Sequence, residues 1–134
     1  MSALSNYLEN ALINHVLRNT AYTTPGTSVY VGLISFYETD KLEAGTLTQE
    51  PSGGSYARVQ VTSWDAPSNG ATQNTSDVTF PTSSADWGMV SGVFVADASS
   101  GGNVLLHGSL TSARDVKNGD VFKFNAGDLD ITFA

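Results

Sequence analysis

Two histidines and two closely spaced aspartates come nearest to a chemical site in this chain. His15 and His107 are far apart, and neither has an Asp or Glu beside it at a metal-ligand spacing. Asp128 and Asp130 are two residues apart and therefore share one face of a strand, where paired carboxylates can transfer protons or bind Ca²⁺. A polar strand face is the simpler interpretation of this pair. We expect no metal site and no cofactor.

Serines beside glycines are the remaining candidates for nucleophilic chemistry. They occur in GGS at 53–55 and in HGS at 107–109, but the sequence has no Gly-x-Ser-x-Gly elbow. It also has no cysteine, which excludes thiolate nucleophiles, disulfides and cysteine-based zinc sites. We therefore expect no catalytic residue and no enzymatic activity.

The charge pattern argues against nucleic acid as a partner. The net charge is −7, and the six Lys and Arg residues are scattered singly rather than clustered. Only 14% of the residues are charged, so much of the surface must be neutral, which suits close contact with other proteins. No apolar run approaches the roughly 20 residues of a membrane helix, and the N-terminus lacks a signal-peptide pattern. We expect neither a nucleic acid nor a membrane as partner.

The N-terminal segment is the one good helix candidate, and we predict a helix over about residues 4–19. Its apolar residues recur at spacings of three and four and form one stripe: Leu4, Leu8, Ala11, Leu12 and Val16. Ser5 or Asn6 can cap the start, and the TTPG segment at 23–26 follows the end. Ile13 and Leu17 widen the stripe. Simple burial explains the wider stripe, and contact with a neighbouring subunit is the alternative.

The rest of the chain has the pattern of short strands separated by turns. Turn signals such as SSGGN at 99–103 and Asn118-Gly119 divide runs of β-branched and aromatic residues. The predicted strands cover residues 28–37, 56–64, 77–81, 87–98, 104–110, 120–124 and 129–134. We predict one mainly-β domain over residues 1–134, a β-sandwich or jelly roll of about seven or eight strands with one N-terminal α-helix.

The segment 38–54 and two tryptophans are candidates for the surface. The segment is long, polar and glycine-bearing, so we predict a surface loop with solvated acidic side chains. Trp64 and Trp87 flank predicted loops, whereas the phenylalanines lie within strands and are expected in the core. The residues that we expect at a partner interface are Leu4, Leu8, Leu12, Ile13, Leu17, Trp64 and Trp87.

The ordered motifs resemble a known family. They are NYLENALINHVLRNTAYTTPGTSVYVGLISF, GGSYARVQV, DVTFPTSSADWGMVSGVFVADASSGGNVLLHGSLT and VKNGDVFKFNAGDLDI, and together they extend from Asn6 to Ile131. The sequence is similar to small structural proteins of tailed bacteriophages, which are described as tail-fibre-like or head-decoration-like. The resemblance implies a virion component with a β-sandwich, present as a symmetric oligomer and without catalytic residues.

Two functions follow from the resemblance and the composition. The first is a capsid decoration (cement) protein, which as a trimer would bind the major capsid protein on the outside of the head and stabilise it through many weak contacts. The alternative is a tail or tail-fibre component that binds a host receptor or surface glycan, for which the two tryptophans would supply stacking faces. Both place the protein on the exterior of the virion.

Overall fold

The computed structural model describes residues 3–133. Its elements in chain order are β1 (Ala3–Leu4), α1 (Asn6–Leu17), β2 (Tyr30–Ile34), α2 (Thr39–Glu43), β3 (Val59–Gln60), β4 (Ala71–Gln73), β5 (Val78–Thr79), β6 (Gly88–Ala96), β7 (Val104–Val116), β8 (Lys123–Phe124) and β9 (Asp130–Thr132). The prediction of a mainly-β fold with an N-terminal helix is confirmed. Ala134, the end of the last predicted strand, lies outside the described residues.

One five-stranded antiparallel sheet and two short ribbons form the layers. The strand order in the sheet is β1-β7-β6-β2-β3, and the ribbons are β4–β9 and β5–β8. The long β6–β7 hairpin turns at the SSGGN segment, where the sequence predicts it. Strand β7 extends beyond its predicted end because a register shift between Val90 and Gly92 lets it continue to pair with β6 as far as Val116.

The ribbons pack on one face of the sheet and make the main core. Val31, Leu33 and Val93 of the sheet belong to one apolar cluster with side chains of both ribbons. Phe80, Phe122 and Phe124 meet edge to face, with ring centroids 5.2 to 6.3 Å apart. The prediction that these phenylalanines lie in the core is confirmed, whereas the same prediction is wrong for Phe133, which is 44% exposed.

The segment 35–58 packs on the other face of the sheet. The prediction of a solvated surface loop at 38–54 is therefore wrong for Leu42 and Glu50, although Asp40 and Thr48 are exposed. Leu42 of α2 is 1% exposed and packs in a second apolar cluster with Phe94 and Val104. Glu50 is not solvated either, because the buried guanidinium of Arg58 binds its carboxylate. The acidic residues had suggested a loop, but its apolar residues and one arginine hold it to the sheet.

Polar groups form hydrogen bonds with the backbone of the β2 edge beyond its short pairing with β3. Ser35 donates its backbone N–H to the carbonyl of Gln49 at 2.8 Å. Tyr56 Oη accepts the N–H of Leu33 at 3.0 Å and donates to Glu50 at 2.7 Å. The predicted strand at 56–64 is therefore only two residues long, because Tyr56 satisfies this edge with its side chain. Burial and the neighbouring Glu50 raise the pKa of Tyr56, which keeps its hydroxyl protonated.

A buried amide connects the two ribbons. Asn74 is 1% exposed and donates to the carbonyls of Ser76 and Asn125 at 2.7 and 3.0 Å. Its Oδ1 accepts the N–H of Leu129 at 2.9 Å. These side-chain hydrogen bonds add to the backbone bond that the N–H of Gly127 donates to the carbonyl of Asn74 at 2.9 Å.

Gly32 is required by the packing of Phe94. A Cβ at Gly32 would lie 2.2 Å from Cζ of the buried Phe94 ring, so the ring or the strand would have to move. We expect Gly32→Ala to lower the free energy of unfolding by about 1–3 kcal/mol, as overpacking does. Denaturant titration measures the loss. The double variant Gly32→Ala/Phe94→Leu should be less unstable than the sum of its single variants, and simple additivity would contradict this packing.

Candidate interaction surface on the N-terminal helix

Helix α1 is anchored at its start. Ser5 is the N-cap: its hydroxyl accepts the N–H of Leu8 at 3.2 Å and donates to the carbonyl of Val104. Its backbone N–H donates to the carbonyl of Leu105 at 2.9 Å. Strand β1 pairs with β7 immediately before the cap. Of the two predicted caps, Ser5 is therefore the one that forms, and Leu4 lies in a strand rather than in the helix.

The N-terminal segment contacts the core through three leucines that precede the last turn of α1. Leu8 is 7% exposed and belongs to the main cluster. Leu4 and Leu12 are half-buried and pack against the same cluster. These three of the predicted interface residues therefore hold the helix on its own domain.

The last turn of α1 leaves its apolar side chains in solvent. Ile13, Val16 and Leu17 are 53%, 72% and 78% exposed, and we call these three residues the helix patch. The interpretation of simple burial is wrong for them. The helix ends at Leu17, earlier than predicted, because Asn19 takes a left-handed conformation with φ of 53°.

An open cavity of about 350 Å³ lies between the start of α1 and the β4–β9 ribbon. The residues that line it, all of them within the described part of the chain, include no charged side chain. They are Leu8, Val29, Trp64, Pro67, Gly70, Ala71, Thr72, Val95, Leu105, Leu106, Ile131 and Phe133, and we call this cavity the apolar pocket. Trp64 is half-buried there, and Phe133 is 44% exposed.

Trp87 lies in the core rather than at the surface. It is 9% exposed, its indole N–H donates to the carbonyl of Gly54 at 2.8 Å, and its ring meets Tyr56 edge to face at 5.4 Å. The indole N–H and the ring of Trp87 therefore have their partners within the domain. Among the sequence-predicted interface residues, Trp64 is the tryptophan that a partner could reach, through the apolar pocket.

The predicted chemical residues do not converge. His15 is exposed on α1, where Nδ1 accepts the N–H of Tyr22 at 3.4 Å. Asp128 accepts the N–H of Asn125 at 2.8 Å and so closes a turn, while Asp130 is exposed on β9. Within residues 3–133, no group of three or more His, Asp or Glu side chains is placed to hold a metal ion.

His107 is fully buried, so its prediction as a polar tip of a strand is wrong. Its Nδ1 is 2.8 Å from Tyr37 Oη, and its Nε2 has no hydrogen-bond partner among the described residues. Burial lowers the pKa of His107, while Glu43 and Glu9 act in the opposite direction. The folded protein therefore favours the neutral imidazole.

We expect the buried His107 to make the protein less stable in mild acid. Because its pKa is lower in the folded than in the unfolded chain, its contribution is complete above about pH 6.5 and is lost as the pH falls below that value toward the lowered pKa. The free energy of unfolding falls by about 1.4 kcal/mol for each unit by which folding lowers the pKa of His107. Denaturant titrations at several pH values between 7 and 5 measure the free energy of unfolding. This free energy should change less steeply with pH in His107→Gln than in the wild type. His15→Gln is the exposed control, and an unchanged slope in His107→Gln would contradict the assignment.

The comparison with known proteins identifies the family. Residues 3–132 match the family described as podophage GP4 fiber I protein gp80. The chain belongs to this family. The predicted resemblance to tailed-phage structural proteins is thereby confirmed. The gp80 match includes the helix patch and every lining residue of the apolar pocket except Phe133. No curated protein matches the chain. In the described part of this gp80-family chain, no helix is long and apolar enough to span a membrane.

Sequence reasoning missed two parts of this gp80-family surface. Val16 was expected in the buried stripe, yet it stands in the helix patch. The apolar pocket joins Trp64 to Ile131 and Phe133, which are distant in sequence. Asn19, which ends the helix early, is a sequence signal that could have indicated an exposed last turn of α1. The apolar pocket has no such local signal, because it depends on the pairing of β4 with β9.

Proposed function

We propose that this structural protein of a phage virion is a subunit of a tail fibre, and that it works by binding other protein subunits through its helix patch. The observation that carries the proposal is the exposure of Ile13, Val16 and Leu17, each more than half exposed on one turn of an anchored helix. Grouped aliphatic side chains in water are typical of surfaces that a partner covers. The family's description as a fiber protein supports the fibre as the place of assembly.

Protein partners suit this surface better than a host glycan does. The helix patch is aliphatic and therefore offers no ring on which a sugar could stack. Trp87 is buried, and Trp64 lines a pocket without charged groups. We propose copies of this chain, in a symmetric oligomer such as a trimer, and neighbouring virion proteins as the partners.

Capsid decoration is the second candidate. It is favoured by the low charged fraction of 14%, which suits an outer subunit held by many weak contacts with the major capsid protein. The same helix patch would then bind the head rather than a fibre.

Imaging of labelled particles tests the location. The chain has no cysteine, so Thr48→Cys, at an exposed position away from the helix patch, gives a single attachment site for a gold label. We expect label on the tail fibres in electron micrographs. Label distributed over the head would overturn the fibre proposal in favour of decoration, and particles that lack the protein would overturn both.

A further inference from the structure

We infer that the helix patch of one copy inserts into the apolar pocket of a second copy of this chain. The inference rests on the proposed function, because it names the partner of the same helix patch. The two surfaces have the same chemistry: one is a group of protruding aliphatic side chains, and the other is an open cavity without charged lining.

The helix patch does not fill the pocket of its own chain, because none of its three residues lines that pocket. Leu8 lines the pocket, and Leu17 follows nine residues later on the same helix. At a rise of about 1.5 Å per residue, the two lie roughly 13 Å apart along the axis. The pocket and the patch are therefore separate surfaces, and each remains uncovered in a single copy.

The size and lining of the pocket suit aliphatic side chains. Its volume of about 350 Å³ lies at the lower end of the roughly 300–1,000 Å³ of sites that hold apolar groups. Phe133 at this pocket is itself 44% exposed, so an inserted side chain would cover it too. The other exposed large apolar residues described, such as Phe36, Met89 and Val121, do not share one helical turn.

The charges beside the two surfaces are complementary. Arg18 directly follows Leu17, and it is the first Lys or Arg in the sequence. On the pocket side, Asp130 of β9 and the nearby Asp65 line a depression that shares Ala71 and Thr72 with the apolar pocket. Insertion of the patch would bring the guanidinium of Arg18 toward Asp65 and Asp130. This attraction would favour one orientation of the inserted helix.

The contact joins two different surfaces and therefore propagates from copy to copy. A head-to-tail contact of this kind closes into a ring or continues as a filament, depending on the rotation between copies. A symmetric contact between two helix patches would cover the patches alone and leave the pocket and Phe133 open. The head-to-tail arrangement covers both apolar surfaces of every copy.

Cysteine cross-linking of the full-length protein distinguishes these arrangements. Leu17→Cys and Pro67→Cys place single thiols on the exposed patch and on the lining of the pocket, and Thr48→Cys is the control away from both. After mixing and mild oxidation, we expect 17–67 disulfides to exceed both 17–17 and 17–48 disulfides at least tenfold, as identified by mass spectrometry of peptides. Oligomers that yield mainly 17–17 disulfides would overturn this inference and leave the proposed function intact. If the wild-type chain stays monomeric and the mixed cysteine variants yield no 17–67 disulfide above the 17–48 control, both this inference and the proposed binding between copies of the chain are overturned.

Discussion

We expect Leu17→Glu to weaken self-association strongly while it leaves the domain folded. Leu17 is 78% exposed, so the substitution should change the free energy of unfolding by less than about 1 kcal/mol, including the unfavourable charge at the helix C-terminus. In the assembled state the carboxylate would enter an apolar contact without a partner, which costs at least about 2 kcal/mol. The self-association constant, measured by sedimentation equilibrium, should therefore fall at least about 30-fold.

Val121→Glu is the matched control for this effect. Val121 is 50% exposed and lies outside both the helix patch and the apolar pocket. The same change of an exposed aliphatic residue to glutamate should leave self-association within about threefold of wild type, because surface changes away from an interface have small effects. Equal weakening by Leu17→Glu and Val121→Glu would show that net charge, rather than the helix patch, controls association.

Arg58→Ala is expected to cause the largest loss of stability. The guanidinium donates to both oxygens of Glu50 at 2.8 and 2.9 Å and to the carbonyls of Ala98 and Gly101 at 2.8 and 2.9 Å. It also lies 4.9 Å from the centroid of the Phe94 ring. The side chains of Arg58 and Glu50 are only 3% and 17% exposed, so removal of the arginine leaves a carboxylate and two carbonyls poorly solvated. We expect a loss of about 3–5 kcal/mol in the free energy of unfolding.

Two further variants distinguish the geometry of this pair from its charge. Arg58→Lys keeps the cation but cannot donate in the same planar arrangement, so it should recover less than half of the loss. Arg58→Met/Glu50→Gln removes both charges and should be more stable than Arg58→Ala. Urea titrations give the free energies of unfolding of these variants, which can be compared when their m-values agree. A loss below about 1 kcal/mol for Arg58→Ala would contradict the role of this pair in holding the segment 35–58 on the sheet.

The local patterns in the sequence predict the hairpin and the helix well. The SSGGN turn lies between β6 and β7, and the polar cap lies at the start of α1, because both depend on neighbouring residues. The cover over the second face was not predictable in this way. It depends on Arg58, which binds Glu50 nearby in the sequence and also the carbonyl of Ala98, 40 residues away in the β6–β7 turn.

The candidate surface was predicted only in part, for the same reason. The helical spacing identifies Ile13 and Leu17 as apolar but cannot say whether the domain extends far enough to cover them. The structure shows that the core reaches Leu8 and Leu12 and stops before the last turn. His107 shows the opposite failure, since the ring that contacts this buried strand residue belongs to Tyr37, which is 70 residues away in the sequence.

We propose that the helix patch holds this protein in the virion. The most direct measurement is the composition of phage particles assembled in cells that supply equal amounts of folded wild-type and Leu17→Glu chains. Mass spectrometry of purified particles gives the ratio of the two peptides. We predict that the Leu17→Glu chain is depleted at least about tenfold relative to its soluble level, since each 1.4 kcal/mol of lost contact is tenfold in binding. Equal incorporation of both chains would contradict the claim.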